Sequence, residues 1–308
     1  MPPHRYTSPE GVLNLWRGFG VAAKQGSWDK LRDHLLKVIC RGNPRHFLYV
    51  YDWAAFMVQH PEAMAEVALV FRGGKGCGKG IFFRALVHLL GQHGMQIANP
   101  QQLVGRFNDH LGDLVALFAD EAFYAGDKQH EGVLKGLVTE PSLPIEAKFH
   151  SVVNRPNRLH IMMASNSDWV FPATGAERRF FMLDASDEKI GDKAYFEAIQ
   201  DELEHGGYVA MLYDLQHAAL FGFHPRNMPS TEALNEQKRR SMRPEEKRWA
   251  DVLSRGGLGV SNDGLVPTKG NLENPLDTMD WTGIPRRPIP CSTRPISTMP
   301  GSIGKTGP

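Results

Sequence analysis

Gly73-Gly74-Lys75-Gly76-Cys77-Gly78-Lys79-Gly80 is the stretch of sequence that decides the fold of this 308-residue chain. An apolar run at residues 67–71 precedes it, and an apolar segment with helical character, residues 81–90, follows it. A strand, a glycine-rich turn and a helix in this order form the context that a phosphate-binding loop requires. The sequence therefore predicts an α/β fold in which this loop joins a strand to a helix.

The chemistry of this stretch also favours an anion. Glycines allow the backbone to curl so that several N–H groups face one phosphate, and the following helix adds the positive end of its dipole. Lys79 supplies a full charge for the outer phosphates of a nucleotide. The motif G-x-x-x-x-G-K-[ST] is met up to Lys79, but Gly80 stands where a Ser or Thr hydroxyl normally binds Mg²⁺. The residues expected to bind the nucleotide are Gly73, Gly74, Gly76, Gly78, Lys79 and Gly80.

Polar side chains end two further apolar runs. Asp120 and Glu121 follow residues 114–119, and Asn166 lies just beyond residues 159–164. Ligands of parallel α/β sheets bind at the carboxyl ends of the strands, so we expect these side chains beside the glycine-rich loop. Asp120 is expected to hold Mg²⁺ directly or through water, and Glu121 to polarise the water that attacks the γ-phosphate. Asn166 can bind both that water and the γ-phosphate. The alternatives are a solvated loop that begins at Asp120 and a simple turn at Asn166.

Two adjacent arginines, Arg178 and Arg179, precede a further predicted strand at residues 180–183. One of them is expected to be an arginine finger that reaches the γ-phosphate of a neighbouring subunit. The other is expected to pair with Glu177 or Asp184 in a structural role. Spacing does not separate the two arginines, and we favour Arg178 slightly as the finger.

Strands and helices alternate from about residue 65 to residue 186, which predicts a parallel sheet with crossover helices. Predicted strands cover residues 67–71, 96–98, 114–119, 159–164 and 180–183. Predicted helices cover residues 28–39, 47–60, 79–90, 100–106, 129–138, 192–220 with a break at Gly206-Gly207, and 232–253 with a break at Pro244. After residue 256, Gly, Pro, Ser and Thr dominate, which predicts low order or a short irregular packing segment. The predicted regions are an N-terminal helical bundle (1–62), a P-loop core (63–190), a C-terminal helical region (191–255) and a low-order tail (256–308).

The order of the motifs, which is glycine-rich loop, carboxylate strand, asparagine strand and arginine pair, resembles that of the superfamily 3 helicases, a branch of the AAA+-like ATPases. The chain is most similar to the helicase part of phage and poxvirus-type primase–helicases, over roughly residues 13–253. The segments that carry the resemblance are Asn14-Leu15-Trp16-Arg17-Gly18-Phe19, Ala119-Asp120-Glu121-Ala122-Phe123, Gly126-Asp127-Lys128, Leu134-Lys135-Gly136-Leu137 and Ala164-Ser165-Asn166.

This resemblance implies an ATP-dependent DNA helicase of phage or prophage replication. It implies ATP and Mg²⁺ as cofactors and a homo-oligomeric ring, expected to be a hexamer, with single-stranded DNA in its channel. It also implies a primase or polymerase as a further partner and the cytoplasm of a bacterial host as the location.

In such helicases a hairpin between the carboxylate strand and the asparagine strand touches DNA, and residues 143–158 match it here. The basic residues of this segment are Lys148, His150, Arg155 and Arg158. We expect them to grip phosphates without reading bases, with a turn at Asn154-Arg155-Pro156-Asn157. The alternative is a solvated loop with ordinary basic residues.

Composition restricts the remaining possibilities. The chain has 42% hydrophobic and 22% charged residues, as soluble globular proteins do. Its formal net charge is +1, so DNA binding must come from a local patch. Three scattered cysteines predict reduced thiols and a cytosolic setting. No apolar run approaches the roughly 18 residues that span a bilayer, so we expect no membrane partner.

Gly80 keeps two outcomes open. Water and Asp120 hold the magnesium ion, which we favour, or hydrolysis is slow or absent. The second outcome corresponds to a different class of function, an ATP-binding assembly or loading module without unwinding activity. Another P-loop motor, such as a DNA-packaging ATPase, is a third possibility. The chain is either a standalone helicase or a piece of a longer primase–helicase, and the sequence does not decide between them.

Overall fold

The computed structural model describes residues 14–99, 102, 105, 107–121, 128–171, 173 and 177–255. The chain divides into two units, Met1–Ser241 and Met242–Pro308. The predicted helix at 100–106 lies largely outside the described residues, and the predicted tail at 256–308 lies wholly outside them. The four predicted regions stay predictions.

The first unit contains a five-stranded parallel sheet with the strand order β2-β3-β6-β1-β7. An α/β fold with a parallel sheet flanked by helices is thereby confirmed. Each strand of this sheet begins within two residues of the start predicted for it. The strands of the chain are β1 (Ala68–Arg72), β2 (Gly94–Ile97), β3 (Ala116–Asp120), β4 (Ser142–Ile145), β5 (Val153–Pro156), β6 (His160–Ser165) and β7 (Phe180–Asp184).

Both faces of the sheet are buried. Successive residues of a strand point to opposite faces, and those of β1 belong alternately to two different hydrophobic clusters. In β1, Leu69 and Phe71 join one hydrophobic cluster, whereas Ala68 and Val70 join the other. This explains why β1, β3 and β6 are apolar through their central residues rather than alternating.

The helices are α1 (Asp29–His34), α2 (Pro44–Gln59), α3 (Ile81–Leu90), α4 (Lys128–Thr139), α5 (Lys193–Glu202), α6 (Tyr208–His217) and α7 (Glu232–Ser241), with α8 (Pro244–Arg255) in the second unit. A π-helical segment, Leu35–Ile39, continues α1, so the predicted helix at 28–39 is confirmed. The predicted breaks are also confirmed: the chain kinks at Gly206, whose φ is +118°, and Pro244 begins α8.

Local sequence explains where these helices begin. The side chain of Asn43 accepts hydrogen bonds from the N–H groups of Arg45 and His46, and Pro44 occupies the first helical position of α2. The N-terminal helices share one hydrophobic cluster with the sheet, since Leu31 and Trp53 belong to the same cluster as Leu69. A separate N-terminal bundle stays a prediction.

Strands β4 and β5 form an antiparallel hairpin between α4 and β6. The turn predicted at residues 154–157 is wrong, because Val153–Pro156 is a strand and the hairpin turns where His150 N–H donates to Ala147 O at 3.1 Å. Pro156 is tolerated because it ends an edge strand.

Asn157 is not part of a turn but connects the hairpin to a helix. Its buried amide donates to Leu137 O and Glu140 O, at 2.9 Å each, and so ties the hairpin to the end of α4.

No helix among the residues that the structure describes is both long and apolar enough to cross a membrane.

Candidate functional site

The glycine-rich loop leaves the carboxyl end of β1 and enters α3. Gly76 and Gly78 have φ angles of +86° and +87°, a backbone conformation that favours glycine. Gly73 N–H donates to Ser165 O at 3.1 Å, which fixes the start of the loop to the end of β6. Gly74 N–H donates to a carboxylate oxygen of Asp187 at 3.2 Å. The loop is therefore anchored on both sides at the carboxyl edge of the sheet.

A chain of polar contacts joins three of the predicted site residues. Lys79 is 7% exposed, and its Nζ donates to Asn166 Oδ1 and lies 3.5 Å from Gly74 O. Asn166 Nδ2 in turn donates to Glu121 Oε1. The amide of Asn166 thus uses its acceptor on the ammonium and its donor on the carboxylate. Residues 79, 121 and 166, which are far apart in the sequence, meet at one place.

The two carboxylates at the end of β3 have different surroundings. Asp120 Oδ2 accepts a hydrogen bond from Gln96 Nε2 at 3.0 Å and lies 3.7 Å from Arg84 Nη1. Glu121 is exposed and has a φ of +56°, while its N–H donates to Ala164 O at 2.9 Å. A left-handed backbone is costly for a residue with a Cβ and often marks a functional position.

A cavity of about 310 Å³ lies over this edge of the sheet. Both lysines of the loop and both carboxylates line it, so its wall carries charges of both signs. The residues that line it are Lys75, Gly76, Gly78, Lys79, Gly80, Ile81, Arg84, Asp120, Glu121 and Phe196. The predicted glycine loop, carboxylates and asparagine therefore come together, as the sequence indicated.

The buried ring of His34 and the partly exposed rings of Tyr195 and Phe196 support the loop. His34 Nε2 lies 3.3 Å from Gly78 O, and its Nδ1 lies 3.1 Å from the hydroxyl of Tyr195. Burial lowers the pKa of His34 from 6.5 to about 4, so the ring is neutral at pH 7. Phe196 lies edge-on to His34, with ring centroids 5.9 Å apart. The N-terminal helix and α5 therefore both hold the shape of the loop.

The arginine pair does not join this cluster within one chain. Arg179 O accepts from Ala68 N–H, so the pair lies at the amino edge of the sheet. A five-residue strand such as β7 rises about 3.3 Å per residue, which puts this edge roughly 16 Å from the loop. Arg179 Nη1 lies 3.3 Å from a carboxylate oxygen of the buried Glu177, whereas Arg178 is exposed. Asp184, the other predicted partner, instead binds Arg72.

The predicted DNA-binding residues occupy different parts of the hairpin. Lys148 and His150 are exposed at the turn, and Lys148 Nζ lies 5.1 Å from the ring centroid of Phe149. Arg158 is exposed beyond the end of β5, at the amino edge of the sheet. Arg155 lies within β5 and packs on the loop at Gly112, where a Cβ would be 3.4 Å from Nη1. Lys148 and His150 are therefore at the tip, whereas Arg155 supports the base.

Three residues that lie at the cavity or at the tip of the hairpin were not predicted from the sequence. Arg84 follows Gly80 by four positions, a spacing that puts both on one face of α3 and was a usable signal. Phe149 is 91% exposed and follows Lys148 in the turn, so a basic–aromatic pair also marked the tip. Phe196 lines the cavity from α5, and nothing in its local sequence indicated this.

The side chains of the site meet part of the needs of a magnesium ion. Among the described residues there is no group of three or more His, Cys, Asp or Glu side chains that would hold a metal. Magnesium usually keeps several waters and uses one or two carboxylates, so Asp120 fits as the carboxylate of a hydrated ion. Gly80 has no hydroxyl to offer as a second ligand.

Comparisons with known proteins support the fold. A family model described as a family of unknown function (DUF5906) matches residues 71–179. No curated protein matches the chain. Solved structures of the NrS-1 C-terminal region are similar to it. The apo structure of residues 305–718 has a TM-score of 0.64 and 17% identity, over 76% of this chain and 56% of that one. An A form apo structure has a TM-score of 0.65 and 18% identity, over 82% and 63%. The chain thus spans about six-tenths of the length of these neighbours, and at such identities the likeness concerns the fold.

Proposed function

We propose that this chain is the ATPase subunit of a DNA helicase that works in phage or prophage replication. The observation that carries the proposal is the chain of contacts from Lys79 through Asn166 to Glu121, beside a glycine-rich loop at the carboxyl edge of a parallel sheet. It combines a cation for phosphate, a carboxylate that can act as a base and an amide that positions both. This is the set of groups that phosphoryl transfer to water requires.

Binding of the nucleotide follows from the loop. Residues 76 and 78–81, which belong to the loop and to the amino end of α3, line the cavity, where the helix dipole favours negative charge. Lys79 is almost completely buried, so its charge acts in a medium that screens it less than water does. The proposed ligand is ATP, with Gly73, Gly74, Gly76, Gly78 and Gly80 allowing the backbone to approach the phosphates.

Hydrolysis requires an activated water. Glu121 accepts a proton from the water that attacks the γ-phosphate, and Asn166 fixes the orientation of this carboxylate through Nδ2. A magnesium ion bound with the triphosphate would neutralise part of its charge, and Asp120 is the residue that would hold it through water.

An arginine from a neighbouring subunit completes the proposed site. Arg178 is exposed and lies at the edge of the sheet opposite the cavity, so it serves a second copy of the chain and not its own cavity. This placement supports a head-to-tail arrangement of subunits, which closes into a ring. We propose a hexamer around single-stranded DNA, a primase or polymerase as partner, and action in the cytoplasm of a bacterial host.

The hairpin is the proposed DNA contact. Its tip presents a lysine, an exposed aromatic ring and a histidine in succession. A cation grips the phosphate backbone, and an aromatic face accepts a base of any sequence. Lys148 and His150 form the proposed tip contact, with Arg158 beyond the end of β5.

ATP hydrolysis with and without single-stranded DNA tests the proposal. We expect DNA-stimulated phosphate release by the unchanged protein and its loss in Lys79→Ala and Asp120→Ala. Lys37→Ala is the matched control, because Lys37 is exposed and pairs with Asp33 on the N-terminal helix. Phosphate release that continues unchanged in both site variants contradicts the proposal.

A second candidate is an ATP-binding assembly or loading module without unwinding activity. Gly80 favours it, because the missing hydroxyl weakens the hold on magnesium. Tight ATP binding without phosphate release at saturating Mg²⁺, together with no strand displacement on a forked duplex, identifies this candidate. Strand displacement excludes it.

A further inference from the structure

The side chain of Arg84 fills the space that a side chain at position 80 would need. A Cβ built on Gly80 lies 2.6 Å from Arg84 Nη1 and 3.3 Å from Phe118 Cζ. The first of these contacts is impossibly short, so a Ser or Thr at position 80 and Arg84 in its present position exclude each other. The present position of the Arg84 side chain therefore requires a glycine at position 80.

Arg84 also belongs to the wall of the cavity. Its Nη1 lies 3.7 Å from Asp120 Oδ2, and its side chain is 49% exposed. Lys75 and Lys79 line the same cavity. The guanidinium thus lies beside the position that the Cβ of a Ser or Thr would take, close to the carboxylate expected to hold the ion.

A guanidinium can replace part of the work of a metal ion. It carries a permanent charge and five N–H donors in a planar fork, which suits phosphate oxygens. A contact with one carboxylate oxygen leaves most of these donors for a ligand. A half-exposed ion pair alone is worth little in stability, so the pair with Asp120 does not by itself account for the position of Arg84.

We propose that Arg84 binds the phosphates of the nucleotide in the place of the hydroxyl, so that ATP binds with little dependence on Mg²⁺. This inference rests on the proposed function, because it assumes that the cavity takes a nucleoside triphosphate. It separates binding from hydrolysis: the arginine provides charge for binding, while the role of Asp120 in hydrolysis is unchanged.

Equilibrium binding of a fluorescent ATP analogue, in Mg²⁺ and in EDTA, tests the inference. For the unchanged protein the two Kd values should differ by only a few-fold. In Arg84→Ala, EDTA should weaken binding by about 10- to 100-fold relative to Mg²⁺, the range of one charged hydrogen bond to phosphate. Arg84→Lys should fall between the two, since the charge is kept and the fork is lost.

Two further variants complete the design. Gly80→Ser should displace the flexible end of Arg84 and add a hydroxyl, so binding should become strongly dependent on Mg²⁺. Arg32→Ala is the matched control, because this arginine is 46% exposed and pairs with Asp29 within α1, away from the cavity-lining residues of α3. It should behave like the unchanged protein.

The outcomes separate the inference from the proposed function. Equal dependence on Mg²⁺ in the unchanged protein and in Arg84→Ala overturns the inference and leaves the function standing, provided that Lys79→Ala abolishes binding. Absence of ATP binding in every protein and condition overturns both. A dependence on Mg²⁺ that appears only when Arg84 or Gly80 is changed supports the inference.

Discussion

The two left-handed glycines of the loop provide a matched pair for a test of how the loop is held. Gly76 and Gly78 have almost the same φ angle, +86° and +87°. A Cβ on Gly76 meets nothing within 4 Å, whereas a Cβ on Gly78 lies 2.6 Å from carbon atoms of both His34 and Phe196. Alanine at either position therefore has the same backbone cost, and only alanine at position 78 also has a steric cost.

The magnitudes follow from these two terms. A residue with a Cβ in the left-handed region costs about 1–2 kcal/mol, which applies to Gly76→Ala and Gly78→Ala alike. Forcing an extra methyl group into packed surroundings costs a further 1–3 kcal/mol, roughly, and applies only at Gly78. Displacing the ring of His34 would also cost free energy, because the ring is completely buried and contacts the hydroxyl of Tyr195.

Urea denaturation, followed by tryptophan fluorescence, measures the difference between the two variants. We expect Gly78→Ala to lower the free energy of unfolding by about 1–3 kcal/mol more than Gly76→Ala does. In the double variant His34→Ala/Gly78→Ala the loss should be smaller than the sum of the two single losses, because one ring no longer opposes the methyl group. Equal losses for the two glycine variants would refute the packing account of the loop.

Other predictions concern pH, the arginine pair and the hairpin. Burial lowers the pKa of both His34 and His160 from 6.5 to about 4, so the unfolded chain binds more protons between these values. Stability should therefore fall as the pH drops from 6.5 to 4, by up to about 2.7 kcal/mol per pH unit for the two rings, and His160→Phe should halve this slope in urea titrations at several pH values. Arg179→Ala should cost about 1–3 kcal/mol of unfolding free energy, because it removes a partner of a buried glutamate, whereas Arg178→Ala should cost under about 0.5 kcal/mol and instead reduce ATP hydrolysis. Phe149→Ala should weaken binding of a labelled oligothymidine by about 1–3 kcal/mol in anisotropy measurements without lowering Tm, and unchanged DNA affinity would contradict the stacking role.

The positions of the sheet strands were predictable for a physical reason. A strand buried on both faces is apolar at nearly every position, so residues 67–71, 114–119 and 159–164 could be recognised without knowing their neighbours. The polar residues that end these runs are at the edge of the sheet, where burial stops. That Asp120 and Asn166 lie near the same loop followed from the parallel direction of the strands alone.

The hairpin shows what local sequence cannot decide. Asn154-Arg155-Pro156-Asn157 has the composition of a turn, yet pairing with Ser142–Ile145 makes its first three residues part of a strand. The observed turn contains Lys148 and Phe149, neither of which is a typical turn residue, and Phe149 has a φ of +66°. Tertiary pairing, which a short window of sequence does not contain, determined the position of the turn.

The position of Arg84 depends on the same kind of long-range information, and it changes the interpretation of Gly80. In the sequence, Gly80 is only the absence of a hydroxyl. In the structure it is also the space that allows the Arg84 guanidinium to reach the neighbourhood of Asp120. The volume that a side chain at position 80 would occupy holds a cation at the wall of the cavity. Since the proposed ligand is negatively charged and needs positive charge where it binds, the proposed replacement would preserve the electrostatic requirement of the site while changing the group that meets it.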